Sequence, residues 1–469
     1  MTKKQFKHDL QRGLGSCVLE LKNTEDIEKF RPLVLWACSR DLAYDVQSEG
    51  SRGFYLYQLI TQFPDYMLFL EVVEKRLFQC MCSHGWEFFQ DCELLSFFAS
   101  SGNSRSLAIL EDCYEKLLQI LLRKRKRTKY GTLPEQDNFE SLCISLVSIC
   151  HTDRKAIIKQ YKTIVRDLGM LIKENALYSF SGWEWFQSVS ETTLGKRTVR
   201  NLLYHSDADE CTKIFVHSME EELGTREEKR EGNDRQITET ADEIYAILRN
   251  VGTVGQDLPL YLAHRMMRQN RRQEVRKLAE YYKKETEPNI RFRLLKLLAN
   301  RPCAEMLDIV QLLADSESED TDFASKALCA LTYRRDARVR EYAFELLKKG
   351  IHKAEAVSML AANYESADKD FFVRAVKEIP VKNRDGEWHG IFSDVMDLFE
   401  SPAKCKPREL LPYMYQNTFC SYCREHVVKE MGRRRMLTRE LLEEMQYDCN
   451  EDIRAYARGK LEELFHPLS

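Results

Sequence analysis

The sequence predicts an all-α protein, an α-solenoid of degenerate helical repeats arranged in two lobes. Three observations carry that expectation. A helical signature recurs: Ile290-Arg291-x-x-Leu294, Val339-Arg340-x-x-Ala343 and Ile453-Arg454-x-x-Ala457 each run on to a leucine at one offset, namely Leu298, Leu347 and Leu461. A polar residue stands four places before each arginine: Glu287, Asp336 and Asn450. Finally, only 19 glycines and 11 prolines occur in 469 residues, a scarcity that favours helices over turn-rich sheet. In such an array each unit buries its apolar stripe against its neighbours alone.

The first half reads as helical but weakly repetitive. Apolar periodicity places helices over 24–44, 53–62, 65–82, 86–100, 104–122, 138–150, 154–175, 183–193, 196–204 and 207–223. Gly85-Trp-Glu-Phe-Phe-Gln90 recurs as Gly182-Trp-Glu-Trp-Phe-Gln187, and reads first as a pair of aromatic, buried helix starts, with an exposed aromatic binding site as the alternative. Ser181 with Glu184 forms a capping box for the second copy. A charged stretch without apolar positions follows at 220–239, which reads as a solvated loop or a frayed helix extension. The expected division is therefore an N-terminal helical domain over 1–219, a charged linker over 220–239 and a repeat domain over 240–469.

In the second half the helices follow with barely a gap: 241–250, 258–269, 273–284, 289–300, 304–314, 321–332, 337–349, 354–363, 369–379, 388–399, 408–416, 421–431, 439–447 and 451–465. Their joints carry helix punctuation. Gly350 and Gly432 suit left-handed C-terminal positions. Pro302, Pro380 and Pro402 stop helices, and Asp336 and Asn450 suit N-caps. Stretches starting at Phe323, Phe371 and Cys423 superpose on the one at Val339, with uneven intervals. The repeat is degenerate.

These residues resemble the HEAT-repeat family, whose second helices carry Asp-x-x-Val-Arg-x-x-Ala-x-x-x-Leu. The closest match is Asp336-Ala-Arg-Val339-Arg340-Glu-Tyr-Ala343-Phe-Glu-Leu346-Leu347. Asn450 with Ile453-Arg454-Ala-Tyr-Ala457 follows, Asn replacing Asp, while Cys420 stands where a polar cap is expected before Arg424. The resemblance covers 241–469 and implies superhelical stacking and binding of a protein partner, with no catalytic residues. In that frame Arg291, Arg340 and Arg454 are expected to bond neighbouring repeats. At the N-terminus, Arg12-Gly-Leu-Gly15 with Tyr44-Asp45-x-Gln-x-Glu49-Gly-Ser-Arg52 resembles an uncharacterised bacterial family, a likeness that implies no activity.

That same N-terminal constellation is the candidate polar site; its other reading is a charged turn between helices, capped by its own side chains and an Arg–carboxylate bond. Its glycines allow close backbone approach, and Arg12, Asp45, Glu49 and Arg52 have the chemistry to converge at one turn. Gly13-Leu-Gly15-Ser-Cys-Val18 lacks the third glycine of a dinucleotide fingerprint, and no cofactor is expected. Cys420, Cys423 and His426 recur at intervals of three, which strings them along one helix face rather than around a metal ion. Nucleophile elbows, His-Glu-x-x-His and phosphate-binding loops are absent from the sequence, so no catalytic residue is nominated.

A net charge of −3 confines any affinity for polyanions to local patches. Three patches qualify: Arg123-Lys124-Arg125 with the basic residues after it; Arg265, Arg268, Arg271, Arg272, Arg276 and Lys277 across one joint; and Arg433-Arg434-Arg435 after Gly432. Fifteen cysteines scattered behind a basic, polar N-terminus read as reduced thiols of a cytoplasmic protein. No apolar stretch approaches the ~20 residues needed to span a bilayer. The expected role is a non-catalytic scaffold for a protein partner, with nucleic-acid binding by the basic clusters as the alternative.

Overall fold

A computed structural model of the chain describes residues 1–45, 49–83, 86–124, 134–149, 153–177, 182–233, 237–250, 262–382, 386–401 and 405–465. Arg125, Ser181 and Pro402 lie outside them. The described residues hold α-helices and short 3-10 turns, and no strand.

In chain order the helices are α1 Lys3–Arg12, α2 Ser16–Asn23, α3 Arg31–Cys38, α4 Gly53–Ile60, α5 Met67–Cys80, α6 Trp86–Ser100, α7 Ser104–Lys124, α8 Pro134–Ser148, α9 Arg154–Lys173, α10 Trp183–Leu194, α11 Lys196–Leu203 and α12 Glu210–Asn233. Then come α13 Ala241–Asn250, α14 Leu262–Arg268, α15 Arg272–Lys284, α16 Pro288–Leu298, α17 Ile309–Asp315, α18 Thr321–Leu331, α19 Ala337–Lys349, α20 Lys353–Ala362, α21 Lys369–Lys377, α22 Gly386–Glu400 and α23 Leu410–Asn417. The chain closes with α24 Ser421–Arg433, α25 Arg439–Met445 and α26 Glu451–Phe465.

Several local expectations change. The single helix expected over 24–44 is a 3-10 turn, Glu28–Phe30, followed by the short α3. Pro32 explains the break, because it has no N–H and is accepted only in the first turn of a helix. The charged stretch after 219 stays helical to Asn233, in keeping with the helix propensity of Glu, Lys and Arg. Gly350 does end α19 with a left-handed backbone, φ 73°. Gly432 instead sits inside α24, where an added Cβ would lie 1.9 Å from the Tyr456 hydroxyl.

The chain divides into two compact units, Met1–Gly232 with Thr418–Ser469, and Asn233–Asn417. This differs from the expected division, because the last three helices belong with the N-terminal half. In the first unit, α8 is flanked by α6, α7 and α10 around a core that includes Phe88, Leu95, Leu117, Phe139, Leu142 and Phe186. In the second unit the helices pack in succession: α15 on α16, α17 on α18, α19 on α20 and α20 on α22.

An arginine–aspartate bond recurs between a signature helix and the segment that follows it. Arg291 donates to both carboxylate oxygens of Asp315 at 2.5 and 2.6 Å, 24 residues on. Arg340 binds Asp368 at 2.6 and 3.1 Å, 28 residues on. In the first unit Arg424 binds Asp448 at 2.8 and 3.0 Å, again 24 residues on. All three aspartates are buried. Arg454 departs from the expected pattern: it donates to the carbonyls of Asp448 and Cys449, at the turn before its own helix, at 2.9 and 2.8 Å. Asp336 caps α19 through the Arg338 N–H, and Asn450 accepts from the Ile453 N–H at 3.0 Å.

Candidate functional site

The N-terminal polar residues meet the returning C-terminal segment, and two glycines decide how closely. Gly13 ends α1 with φ 71°, and its N–H reaches the carbonyls of Asp9 and Leu10. Its carbonyl accepts from the Cys449 N–H at 2.9 Å. A Cβ on Gly15 would stand 1.9 Å from the Glu444 carbonyl oxygen, so only glycine admits the last turn of α25 this closely. Lys22 adds a bond to the Tyr447 hydroxyl at 2.7 Å and lies over its ring.

Around this seam the charges interlock. The Arg52 guanidinium is buried; it donates to Glu49 Oε2 at 3.0 Å and also contacts the Cys449 sulfur. Glu49 Oε2 accepts in addition from the Ser421 N–H at 3.0 Å, which ties the start of α24 to the loop before α4. Glu49 Oε1 accepts from the Asp45 N–H at 2.8 Å; Asp45 itself is exposed. Arg12 is buried, donates to the His8 carbonyl at 3.0 Å and stacks 4.0 Å from the Phe419 ring.

Deeper in, Arg424 and Asp448 are fully buried, and Arg424 also donates to the Thr418 carbonyl at 3.2 Å and the Cys449 sulfur at 3.2 Å. Arg454 stacks on Phe54 at 4.4 Å, and burial pulls its guanidinium pKa down. Burial pushes the Glu93 carboxyl up, partly offset by the Ser51 hydroxyl and the Gly53 N–H. The Cys17 thiol and Tyr55 phenol beside the seam are likewise pushed well up by burial. Tyr55 donates to the Leu14 carbonyl at 2.8 Å.

The structure thus brings Arg12, Glu49 and Arg52 together and leaves the Asp45 carboxylate at the rim. Sequence reasoning missed Asp448, Cys449 and Glu93, which have no signature of their own. Arg424 did have one, because it occupies the arginine position of the repeat. Chemically the arrangement is a clasp. Its guanidinium and carboxylate groups bond chiefly to one another and to backbone, closing residues more than 370 positions apart into one unit.

The basic clusters are partly consumed. Arg271 donates to the Ile237 carbonyl at 2.7 Å, so it holds the start of the second unit rather than facing solvent. Arg272 lies 3.7 Å from Glu305, and Lys277 binds Asp242 at 2.6 Å. Arg265 is half-buried, whereas Arg268 and Arg276 are exposed with no ion-pair partner among the described residues. In the other cluster Lys124 is paired with Glu135 at 2.5 Å, and Arg123 is exposed. Arg433 and Arg434 are both answered by Glu430. His426 packs on the Tyr422 ring, a turn beyond Cys423.

No described helix is long and apolar enough to cross a membrane. Compared with known proteins, the chain matches no family model and no curated sequence.

Proposed function

We propose that the helices stack as a degenerate, HEAT-like α-solenoid in two lobes, and that the chain is a non-catalytic cytoplasmic scaffold holding a protein partner along its helical surface. The observation that carries this reading is the recurrent bond from a signature arginine to a buried aspartate 24–28 residues on. Such a tie fixes each helix pair to the next and leaves the outward faces available to a partner. The N-terminal polar groups support the same reading, since they are spent on closing the first unit. The alternative is a nucleic-acid-binding solenoid. It is favoured by the exposed Arg268, Arg272 and Arg276, which lie across one joint.

The two readings separate in one experiment. The full chain is immobilised, exposed to lysate with and without nuclease, and the retained proteins are identified. The Arg268→Glu/Arg276→Glu variant runs beside it, with Arg271 spared because it holds Ile237. A scaffold retains the same protein in all arms. Direct titration should then show little binding to duplex DNA or RNA at about 200 mM salt. A tight, salt-sensitive complex lost on charge reversal would replace the scaffold by the alternative.

A further inference from the structure

The first turn of α24 holds two cysteines in an arrangement that the clasp does not use. Cys420 is the N-cap, with extended backbone at φ −68° and ψ 113°, and its sulfur accepts from the Cys423 N–H at 3.4 Å. The two sulfurs lie within 4.8 Å of each other. Residues three apart in a helical turn have Cβ atoms about 5–6 Å apart. A disulfide needs Cβ atoms about 3.5–4.5 Å apart, so closing the bond draws the extended N-cap residue in toward the first turn of α24.

The two thiols are also unequal. Hydrogen bonds from the Cys423 thiol and N–H pull the Cys420 pKa down against the opposing effects of burial and Glu49. Cys423, whose partner takes the negative charge, is pushed up by the same bond and by burial. Within the first unit, the charged groups facing them include Glu49, which disfavours both thiolates, and Arg424, which favours that of Cys423. Both residues are buried, at 4% and 6% exposure, yet Tyr422 between them is 49% exposed. The turn therefore reaches the surface at Tyr422, while the cover over the two thiols excludes a bulky reactant.

We propose that Cys420 and Cys423 form an oxidisable dithiol whose reactant is hydrogen peroxide, with Cys420 as the attacking thiol and Cys423 as the resolving one. The Cys420 thiolate attacks one peroxide oxygen; the O–O bond breaks, hydroxide leaves and takes up a proton as water, and Cys420 becomes a sulfenic acid. The Cys423 sulfur then attacks the Cys420 sulfur. The S–O bond breaks, the Cys423 proton and the hydroxyl depart as a second water, and a disulfide remains. Two thiols are oxidised by two electrons and one peroxide is reduced to two waters. The disulfide cinches the same turn that carries the Ser421 bond to Glu49 and the Arg424 bond to Asp448, so oxidation acts on the clasp.

The test uses the full, reduced chain with a chelator present, so that bound metal cannot mask thiols. Hydrogen peroxide is added in substoichiometric steps and remaining thiols are alkylated after denaturation. Trypsin releases both cysteines on one peptide, residues 409–424. The expected result is that this peptide becomes two hydrogens lighter while the exposed Cys82 and Cys405 remain alkylated. In Cys423→Ser, Cys420 should stop as a sulfenic acid captured by a cyclic dione. Oxidation of Cys82 or Cys405 ahead of this peptide, or a bond from Cys420 to Cys449 instead, overturns the proposal. The wild-type peptide decides the matter even if the variant fails to fold.

Discussion

Gly15 and the Arg424–Asp448 pair set the stability of the clasp residue by residue. A methyl group at Gly15 meets a backbone carbonyl that has no flexible end to yield. Gly15→Ala is expected to cost about 1–3 kcal/mol, the scale of overpacking, and to lower the urea midpoint of the first unit. Asp448→Leu leaves the fully buried Arg424 without its carboxylate, at about 3–5 kcal/mol. Changing both, Arg424→Met with Asp448→Leu, should recover most of that loss, because two charges leave the interior together. If the double variant is no more stable than the single one, the pair is not what holds these helices. Asp336 supplies a pH-dependent contribution. The Arg338 guanidinium lowers its carboxyl from 3.8 to about 2. A depressed folded-state pKa contributes stability that is present above pH 3.8 and lost as pH falls through about 2. Carboxyl titration by NMR should find Asp336 at that low value, and Arg338→Ala should return it toward the ordinary range.

Helices in the second unit are joined by ties that act between elements. Arg340 links α19 to the start of α21 through Asp368, which also accepts from the Glu365 N–H at 3.0 Å. Removing the guanidinium leaves a buried carboxylate with only part of its bonding, so Arg340→Met should cost about 1–3 kcal/mol. The loss should appear in hydrogen exchange as faster opening of α19 and α21, with the exchange of α6 and α8 unchanged. Uniform acceleration over both units would show that the tie is not local. The aromatic echo is also settled at this scale. α6 and α10 both pack on α8, yet Trp86 is 50% exposed while its counterpart Trp183 is buried. Phe88 is buried while its counterpart Trp185 is 47% exposed and meets Phe89 edge-on at 4.9 Å. Similar sequences thus present different sides to one neighbour.

Across the whole molecule, the return of the C-terminal helices makes Asn233–Asn417 an insertion between the two parts of the first unit. Residues 1–232 and 418–469, produced as separate chains in one cell, are therefore expected to co-purify and to show cooperative unfolding together. The fragment 233–417 should be dispensable to that complex. Recovery of 418–469 with 233–417 and not with 1–232 would return the molecule to the simple half-and-half division expected from the repeats.

The sequence by itself determined the helical class, most helix positions in both halves and the arginine of each repeat. These follow from periodicity and capping, which act over a few residues and are written locally. It also marked Arg12, Glu49 and Arg52 as a polar group, because charges flanked by glycines stand out in a helical chain. Only the tertiary structure decided what they do. Their partners at Phe419, Ser421 and Cys449 lie hundreds of residues away, and nothing in a local pattern encodes a close approach of that range. The same holds for Arg271, indistinguishable in the basic run from Arg268 until the fold placed the Ile237 carbonyl beside one and solvent beside the other.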